Sequence, residues 1–316
     1  MGRTLDGRAG LPALLGDGRL IPVPPARRLI LIPFSRRLAR VNVNSPGIVK
    51  RLLSSLVCIA ALSAGSSAAA RPDLRLGVQQ GLAARAGIET SSNWAGYAVT
   101  HRKPFASVTG RWVQPAATCA DLAPTYSAFW VGLGGFSRRS FAVEQTGTLA
   151  NCSNGSPSYT AWYELYPKPP VMLRMAVRSG DTFSATVSVS KKTVAIRIKN
   201  VTTGKLFTKR LRMARPDLGS AEWVAEAPSG CDFAGNCSTL PLTNFGTVAF
   251  SHSSATIKGH KGRISDPVWS ATTIELHGDL NDPSHPSSAG ANAIPGALGG
   301  DGGSFAITWQ QLTPPS

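Results

Sequence analysis

Three short segments place polar side chains inside runs of apolar residues. Gln145 lies near the end of the apolar segment 141–147. In residues 221–227, the two-residue period of a β-strand places Glu222 and Glu226 on one face, and the same period in residues 159–166 pairs Trp162 with Glu164. Carboxyl groups can take up and return protons, and a carboxamide can donate a hydrogen bond to a developing negative charge. A strand face of this kind is either a binding cleft or a solvent-facing sheet surface, and spacing alone does not separate the two.

Motifs of several other hydrolases and of metal sites are absent from the sequence. It contains no G-x-S-x-G, H-E-x-x-H or P-loop pattern, and its five histidines have no ligand-like spacing. Asp181-Thr182 is followed by Phe183 rather than by the glycine of an aspartic-protease triplet. We therefore expect neither a metal ion nor a cofactor.

The segments that must position these side chains are predicted to be short β-strands. Gly, Pro, Asn and Asp recur between them, and residues 182–190 alternate apolar and polar side chains. No helix-period segment longer than ten residues follows residue 90, and residues 281–303 are predicted to form a long loop. This pattern favours an all-β sandwich or barrel. Strands are predicted at residues 94–100, 107–114, 126–132, 140–146, 159–166, 171–177, 182–190, 193–200, 206–213, 221–227, 246–251, 269–277 and 304–310.

The first 89 residues differ in composition from the rest. Lys50 and Arg51 precede an apolar run at 52–62 and small residues that end at Ala70, which indicates a signal peptide at 49–70. Residues 1–48 are predicted to be a mis-assigned start or a disordered extension, and residues 71–89 a short propeptide or lead-in. Residues 90–316 then form one domain. The protein is expected to be secreted, without a stable membrane anchor once the signal is cleaved.

The net charge of +16 is unevenly distributed. Residues 1–70 carry ten Lys/Arg and two Asp, which is half of the net charge. The remaining basic residues are scattered along alternating strands, as on a solvated strand face. We therefore predict no nucleic-acid partner, although a basic body could bind one.

Cysteine usage fits an exported chain. Cys58 lies in the predicted signal peptide and is expected to be removed with it. Four cysteines remain, Cys119, Cys152, Cys231 and Cys237. An even number in an exported protein indicates two disulfides. Three pairings are open, and short spacing favours Cys119 with Cys152 and Cys231 with Cys237. A zinc site is the alternative, but no C-x-x-C pair or nearby histidine supports it.

Seven segments in order resemble the landmarks of the glutamic peptidases, also called eqolisins, between residues 91 and 251. Each is weak alone, and their order carries the resemblance. They are Ser-Ser-Asn-Trp-Ala-Gly-Tyr at 91–97, Trp-Val-Gly at 130–132, Gln-Thr-Gly at 145–147, Ala-Trp-Tyr-Glu-Leu-Tyr-Pro at 161–167, Asn-Val-Thr-Thr-Gly at 200–204, Ala-Glu-Trp-Val-Ala-Glu at 221–226 and Asn-Phe-Gly-Thr-Val at 244–248.

The resemblance implies a lectin-like (concanavalin-like) sandwich of two antiparallel sheets, with a catalytic dyad of Gln145 and Glu226 on the concave face. Trp130 and Glu164 match positions that line the cleft of the family. Such a protein is an acid endopeptidase acting on protein or peptide substrates, and we expect a monomer. Glu226 would take the proton of water and return it to the leaving amine, while Gln145 donates to the oxyanion. Trp162 and Glu222 are predicted as further substrate-binding residues.

Three features depart from the family pattern. Leu133-Gly134-Gly135-Phe136 replaces the Ile-Asp-Gly-Asp of many fungal members after Trp-Val-Gly. The body is basic where fungal members are acidic, and Ala-Pro rather than an acidic-aromatic pair follows Glu226. These departures bear on the pH optimum and the subsite preference more than on the reaction.

Two other functions remain open from the sequence. A sandwich glycosidase could use Glu222 and Glu226, but a retaining enzyme needs carboxyls about 5–5.5 Å apart. Residues four apart on a strand are roughly 13 Å apart at Cα. A non-catalytic carbohydrate- or protein-binding sandwich could instead use Trp130, Trp162 and Trp223 as stacking platforms.

Overall fold

The computed structural model describes residues 73–85, 87–232, 237–278 and 291–312 of the chain. Within these ranges the chain forms twenty β-strands and no helix. The strands are β1 (Asp73–Arg75), β2 (Gly81–Arg85), β3 (Ile88–Ser91), β4 (Trp94–Thr100), β5 (Phe105–Val113), β6 (Ala128–Leu133), β7 (Val143–Ser153), β8 (Ser156–Tyr166), β9 (Val171–Met172), β10 (Thr182–Ser190), β11 (Thr193–Asn200), β12 (Leu206–Arg212), β13 (Ser220–Glu226), β14 (Ser229–Cys231), β15 (Cys237–Thr239), β16 (Thr247–Ile257), β17 (His260–Arg263), β18 (Ser270–His277), β19 (Ala291–Pro295) and β20 (Phe305–Gln311).

The strands form two large antiparallel layers. The first follows the order β9-β8-β7-β6-β13-β4-β18, with β13 paired to both β4 and β6. The second follows β12-β11-β10-β5-β16-β20, and β19 pairs with both β18 and β20. β3 is an exception, because it runs parallel to β18. The prediction of an all-β sandwich of two antiparallel sheets is confirmed.

The two faces of the first layer bury different sets of side chains. One face packs against the second layer, and its cluster includes Val131 on β6 and Trp223 on β13. The close approach of the layers depends on Gly110 of β5, since a Cβ there would lie 2.8 Å from the Trp223 ring and 2.9 Å from Val131. The opposite face carries a second apolar cluster that contains Trp94 and Trp130. This second face is the one that holds the candidate site.

Several predicted strands have the observed bounds, and others differ. The predictions at 94–100, 182–190 and 193–200 match β4, β10 and β11. The strand predicted at 171–177 is reduced to β9, because the backbone N–H of Met175 turns back to the carbonyl of Leu173 and ends the pairing. Part of the predicted loop at 281–303 forms β19, and residues 279–290 lie outside the described residues.

Two disulfides are present, and both predicted pairings are confirmed. Cys119 is bonded to Cys152, and Cys231 to Cys237. The first attaches the segment after β5 to the far end of β7. The second closes the β14–β15 hairpin, which pairs with β1 in a separate small sheet. The zinc alternative for these cysteines is therefore wrong.

The N-terminal predictions fall partly outside the described residues. This is the case for the extension at 1–48 and the signal peptide at 49–70. From residue 73 onward, the proposed lead-in at 71–89 forms β1, β2 and the start of β3, and β2 pairs antiparallel with β3. No helix capable of crossing a membrane occurs in the part of the chain that the structure describes.

Candidate active site

Four adjacent strands bring the predicted site residues onto one sheet face. Register aligns Glu222 of β13 with Gly132 of β6, Gly132 with Gln145 of β7, and Gln145 with Glu164 of β8. Trp130 lies two residues from Gly132 on β6, and Glu226 lies four residues from Glu222 on β13. Both separations are even, so these side chains project from the same face. All of these side chains are buried.

Gln145 and Glu164 form a direct hydrogen bond. The Gln145 amide Nε2 donates to Glu164 Oε2 at 2.8 Å. The carbonyl oxygen Oε1 of Gln145 has no hydrogen-bond partner among the described residues. Because Glu164 holds the NH₂ group, the orientation of the amide is fixed, and its free carbonyl oxygen can accept a hydrogen bond from a reacting molecule.

Trp130 holds the carboxyl of Glu226. Its indole N–H donates to Glu226 Oε2 at 2.8 Å, and its ring meets Trp94 edge to face, with centroids 4.9 Å apart. Gly132 makes room for this ring, because a Cβ there would lie 2.8 Å from the ring carbon Cζ3 of Trp130 and 3.1 Å from Gln145 Cβ. The aromatic packing therefore positions one carboxyl oxygen and leaves the other facing away from the indole.

The lead-in segment lies against both of these side chains. Gln145 Nε2 donates to the carbonyl oxygen of Leu76 at 3.1 Å, and the backbone N–H of Gly77 donates to Glu226 Oε1 at 3.2 Å. These two backbone groups belong to one peptide bond. The amide of Gln145 and the carboxyl of Glu226 therefore reach opposite ends of the same peptide group.

Burial controls the protonation of the site carboxyls. It raises the pKa of Glu226 to about 8, against the lowering effect of the hydrogen bonds from Gly77 and Trp130. Burial also raises the pKa of Glu164 well above its usual value, and the negative charge of Glu226 adds to that rise. Neighbouring carboxyls in a dry site resist ionising together, so ionisation of Glu226 disfavours ionisation of Glu164.

Glu222 and Trp162 lie on the same face but make different contacts. Neither oxygen of the fully buried Glu222 carboxyl has a hydrogen-bond partner in the described part of the chain. Burial raises its pKa well above the usual value, the nearby side chain of Ser220 opposes this rise, and the charges of Asp217 and Glu144 add to it. Trp162 packs in the cluster of Trp130. Their predicted roles in substrate binding stay predictions.

Sequence reasoning overlooked residues of the lead-in and the residue that anchors it. Leu76 is fully buried, Gly77 contacts Glu226, and the side chain of Asn93 bonds the backbone of both Val78 and Gln80. The sequence did contain a signal for a strand in this segment. Leu74, Leu76 and Val78 alternate with other residues, as in a half-buried strand.

The geometry weakens both rival functions. β13 keeps a regular register with β4 and β6 across residues 221–226, so no bulge brings Glu222 toward Glu226. Trp223 lies on the opposite face, where its indole N–H donates to the carbonyl of Thr109 between the layers, and it cannot act as a stacking platform. Among the described side chains, no group of three or more His, Cys, Asp or Glu is arranged to hold a metal ion.

Comparison with known proteins gives concordant matches. The family model described as the peptidase A4 family matches residues 92–284. Aspergillopepsin-2 of Aspergillus niger is 29% identical over 214 residues, which cover 60% of this chain and 72% of that protein.

Two solved structures share the fold. Scytalido-glutamic peptidase with a peptide-based transition-state analogue has a TM-score of 0.56 and 22% identity, covering 69% of this chain and 98% of its own. SCP-B, described as a member of the eqolisin family and bound to the tripeptide Ala-Ile-His, has a TM-score of 0.53 and 21% identity, covering 70% of this chain and 98% of its own.

Proposed function

The chain belongs to the peptidase A4 family and is a glutamic-type endopeptidase, and we propose that Glu226 and Gln145 are its catalytic dyad. In this proposal, Glu226 activates water and then protonates the leaving amine, and Gln145 stabilises the oxyanion. Trp130 and Glu164 position the two members of the dyad.

One observation carries this proposal. Gln145 Nε2 lies 3.1 Å from the carbonyl oxygen of a peptide bond, and Glu226 Oε1 lies 3.2 Å from the nitrogen of the same bond. Amide hydrolysis needs a hydrogen-bond donor at the carbonyl oxygen, where negative charge develops, and a proton at the nitrogen that leaves. Gln145 lies at the carbonyl oxygen and Glu226 lies at the nitrogen.

The reaction follows from the positions of these groups. Ionised Glu226 takes a proton from water, and the resulting hydroxide adds to the carbonyl carbon while Gln145 Oε1 accepts a hydrogen bond from the attacking water. The oxyanion accepts a hydrogen bond from Gln145 Nε2. Glu226 then passes its proton to the nitrogen, the C–N bond breaks, and a carboxylic acid and an amine are released. An amide does not titrate, so the Gln145 donor remains available in acid.

Proton occupancy at Glu226 depends on access of solvent to the cleft. While the lead-in covers it, burial raises the pKa of Glu226 to about 8, which leaves the carboxyl largely protonated in acid. Water that enters an open cleft solvates the charged form and lowers this pKa toward the ordinary value of about 4.3. The open enzyme can therefore use Glu226 as a base at acidic pH.

We also propose that the enzyme is exported and acts as a monomer on proteins and peptides. The pattern at 49–70 supports export, and so do the two disulfides, which persist in oxidising compartments. Residues 71–89 act as a prosegment of the domain that follows.

A parallel assay separates this function from its rivals. Purified protein is incubated at about pH 4 with a denatured protein and, separately, with a polysaccharide, and products are measured by gel and by reducing ends. We expect protein fragments and no new reducing ends, with no loss of activity when serine- or cysteine-directed inhibitors or a chelator are added. Release of reducing ends alone would indicate a glycosidase, and no product from either substrate would indicate a binding protein.

A further inference from the structure

The outer face of the second layer gathers basic side chains that are scattered in the sequence. Along β5, β10 and β11 the core residues alternate with residues that face outward. The strand register aligns outward residues into rows, and one row contains Lys199 of β11, Ser184 of β10 and Arg111 of β5. Two further rows are built in the same way, and the three rows together are called the basic face. Its basic residues are Arg111, Arg197, Lys199, Arg210, Lys261 and Arg263.

None of the residues in these three rows is acidic. The other members are Ser107, Thr109, Ser184, Thr186, Ser188, Ala195, Leu206, Thr208, Ser251, Ser254 and Thr256. Asp301, from the turn before β20, lies near Arg263. None of the six basic side chains forms a salt bridge with another residue in the part of the chain that the structure describes. A group of unpaired like charges on one face attracts an anionic partner.

A pocket of about 400 Å³ opens in the basic face, and Arg111, Lys261 and Arg263 line it. His252 also lines this pocket, from a β-bulge where the register of β16 with β5 shifts. Its φ of 54° lies in the left-handed region that residues other than glycine seldom adopt. Bulges of this kind re-aim a side chain. Guanidinium and ammonium groups that converge on such a pocket bind a sulfate or phosphate group through charge-assisted hydrogen bonds.

The basic face is much wider than one anion. Arg210 of β12 and Lys261 of β17 belong to one row and are separated by five strand spacings. At about 4.8 Å per spacing, the two residues lie roughly 24 Å apart. A linear polymer with repeated anionic groups can contact several of these cations at once and release the counterions that it carried. The width of the face therefore favours a polyanion over a single small ion.

The other residues of the basic face specify the kind of polyanion. Its rows contain no Phe, Tyr or Trp, so they offer no platform on which the bases of a single-stranded nucleic acid would stack. Leu206 is the one large apolar side chain in these rows, which is too little to insert into a bilayer. The serine and threonine hydroxyls between the cations donate and accept hydrogen bonds, as sugar hydroxyls do. A charged polysaccharide fits this combination best.

From this arrangement we infer that the basic face binds a polysaccharide that carries sulfate or phosphate ester groups, with one such group in the pocket of Arg111, Lys261 and Arg263. These ester groups stay ionised in acid, whereas carboxyl groups titrate near pH 4. The candidate active site lies on the outer face of the first layer, on the other side of the sandwich. The polymer therefore holds the enzyme while its cleft stays free. This binding does not depend on the proposed dyad.

The test measures binding of three polymers with the same backbone, namely dextran sulfate, phosphorylated dextran and uncharged dextran. Each is titrated into the purified full-length protein in a calorimeter at about pH 4, at a series of salt concentrations. We expect saturable binding of the charged dextrans and none of uncharged dextran. Binding should weaken as salt rises, because salt screens the cations and opposes the release of counterions. The charged dextran that binds more tightly identifies the preferred ester.

Two variants with the same net charge separate the pocket from charge in general. The pocket variant combines Arg111→Gln, Lys261→Gln and Arg263→Gln. The control variant changes three exposed residues outside the basic face, Arg138→Gln, Arg139→Gln and Lys168→Gln. Both retain residues 1–70, which hold half of the net charge. The pocket variant should bind about tenfold more weakly or worse, with a shallower dependence of log affinity on log salt, while the control stays within about threefold of the wild type.

The possible outcomes decide the inference separately from the proposed function. Equal weakening in the two variants would show that binding follows net charge alone, and it would overturn the inference, as would failure to bind either charged dextran at low salt. Tighter binding to single-stranded DNA or to phosphatidylglycerol vesicles than to both charged dextrans would overturn the choice of partner. Hydrolysis of a short peptide should continue with the polymer bound, and its loss on binding would contradict a free cleft. Absence of peptidase activity in every variant, with polymer binding as expected, would overturn the proposed function alone.

Discussion

The indole N–H of Trp130 donates a hydrogen bond to Oε2 of Glu226 at 2.8 Å, between two strands that pair directly in the first layer. Trp130 is itself held edge to face against Trp94. A tryptophan thus serves at once as an apolar wall of the cleft and as a donor to the proposed catalytic carboxyl. The hydrogen bond stabilises the charged form of Glu226, and so it lowers the pKa of that carboxyl.

Replacing this donor should change the pH dependence of the reaction. In Trp130→Phe the carboxylate of Glu226 loses a hydrogen bond, its pKa rises, and less of it is ionised in acid. The acid limb of the profile of kcat/KM against pH should therefore move to higher pH. Trp223→Phe also loses an indole hydrogen bond, but on the opposite face, and its acid limb should stay where it is in the wild type. Coincident acid limbs for wild type and Trp130→Phe would rule out this positioning role.

Removing the amide of Gln145 should lower turnover more than binding. Loss of one preorganised oxyanion donor costs about 10²–10³-fold in kcat, or about 3–4 kcal/mol. Gln145→Ala should show this loss with little change in KM, measured in steady-state kinetics on a short peptide. Gln114→Ala, which truncates a buried glutamine away from the dyad, serves as a control for the loss of buried amide hydrogen bonds and should keep kcat. A tenfold or smaller loss in Gln145→Ala would show that the amide is not the oxyanion donor.

Stability should be highest in acid and fall as pH rises. Burial raises the pKa of Glu144 to about 9 and that of Glu226 to about 8, and it raises those of Glu164 and Glu222 well above the usual value. Each pKa is higher in the folded than in the unfolded chain, so the folded state binds more protons between these values. The stability that these four protonated carboxyls contribute is complete below about pH 4.5, and it is lost as the pH rises toward 8–9.

Chemical denaturation at a series of pH values measures this slope. Each such carboxyl contributes up to about 1.4 kcal/mol per pH unit within its window. Glu222→Gln removes one titrating group without changing its size, so the free energy of unfolding should fall less steeply with pH than in the wild type. A wild type that is more stable at pH 8 than at pH 4.5 would be incompatible with these protonated carboxyls.

Local pattern was sufficient for much of the fold and for placing the candidate site residues on one face. The strand Thr182–Ser190 has the predicted bounds because its alternation is strict and Asp181 and Lys191 flank it. Strand parity placed Glu222 and Glu226 on one face because β13 contains no bulge. Resemblance to a family then selected Glu226 over Glu222, which periodicity alone could not do.

The local sequence pattern could not predict contacts between residues that are far apart in the sequence. Gly77 meets Glu226 across 149 residues of sequence, and Leu76 meets Gln145 across 69. The alternation of Leu74, Leu76 and Val78 indicates a strand but does not say what that strand covers. The small sheet of β1, β14 and β15 was missed for a related reason, since each of its strands has only three residues.

The acid turnover of Glu226→Gln tests the proposed dyad directly, because this almost isosteric change removes the proton carrier and keeps a hydrogen-bonding side chain. The variant and the wild type are compared at the same protein concentration after the same incubation at about pH 4. We expect kcat to fall by about 10³-fold or more at about pH 4, with unchanged thermal unfolding in acid. If a folded Glu226→Gln protein turned over within tenfold of the wild type, Glu226 would not be the group that transfers the proton.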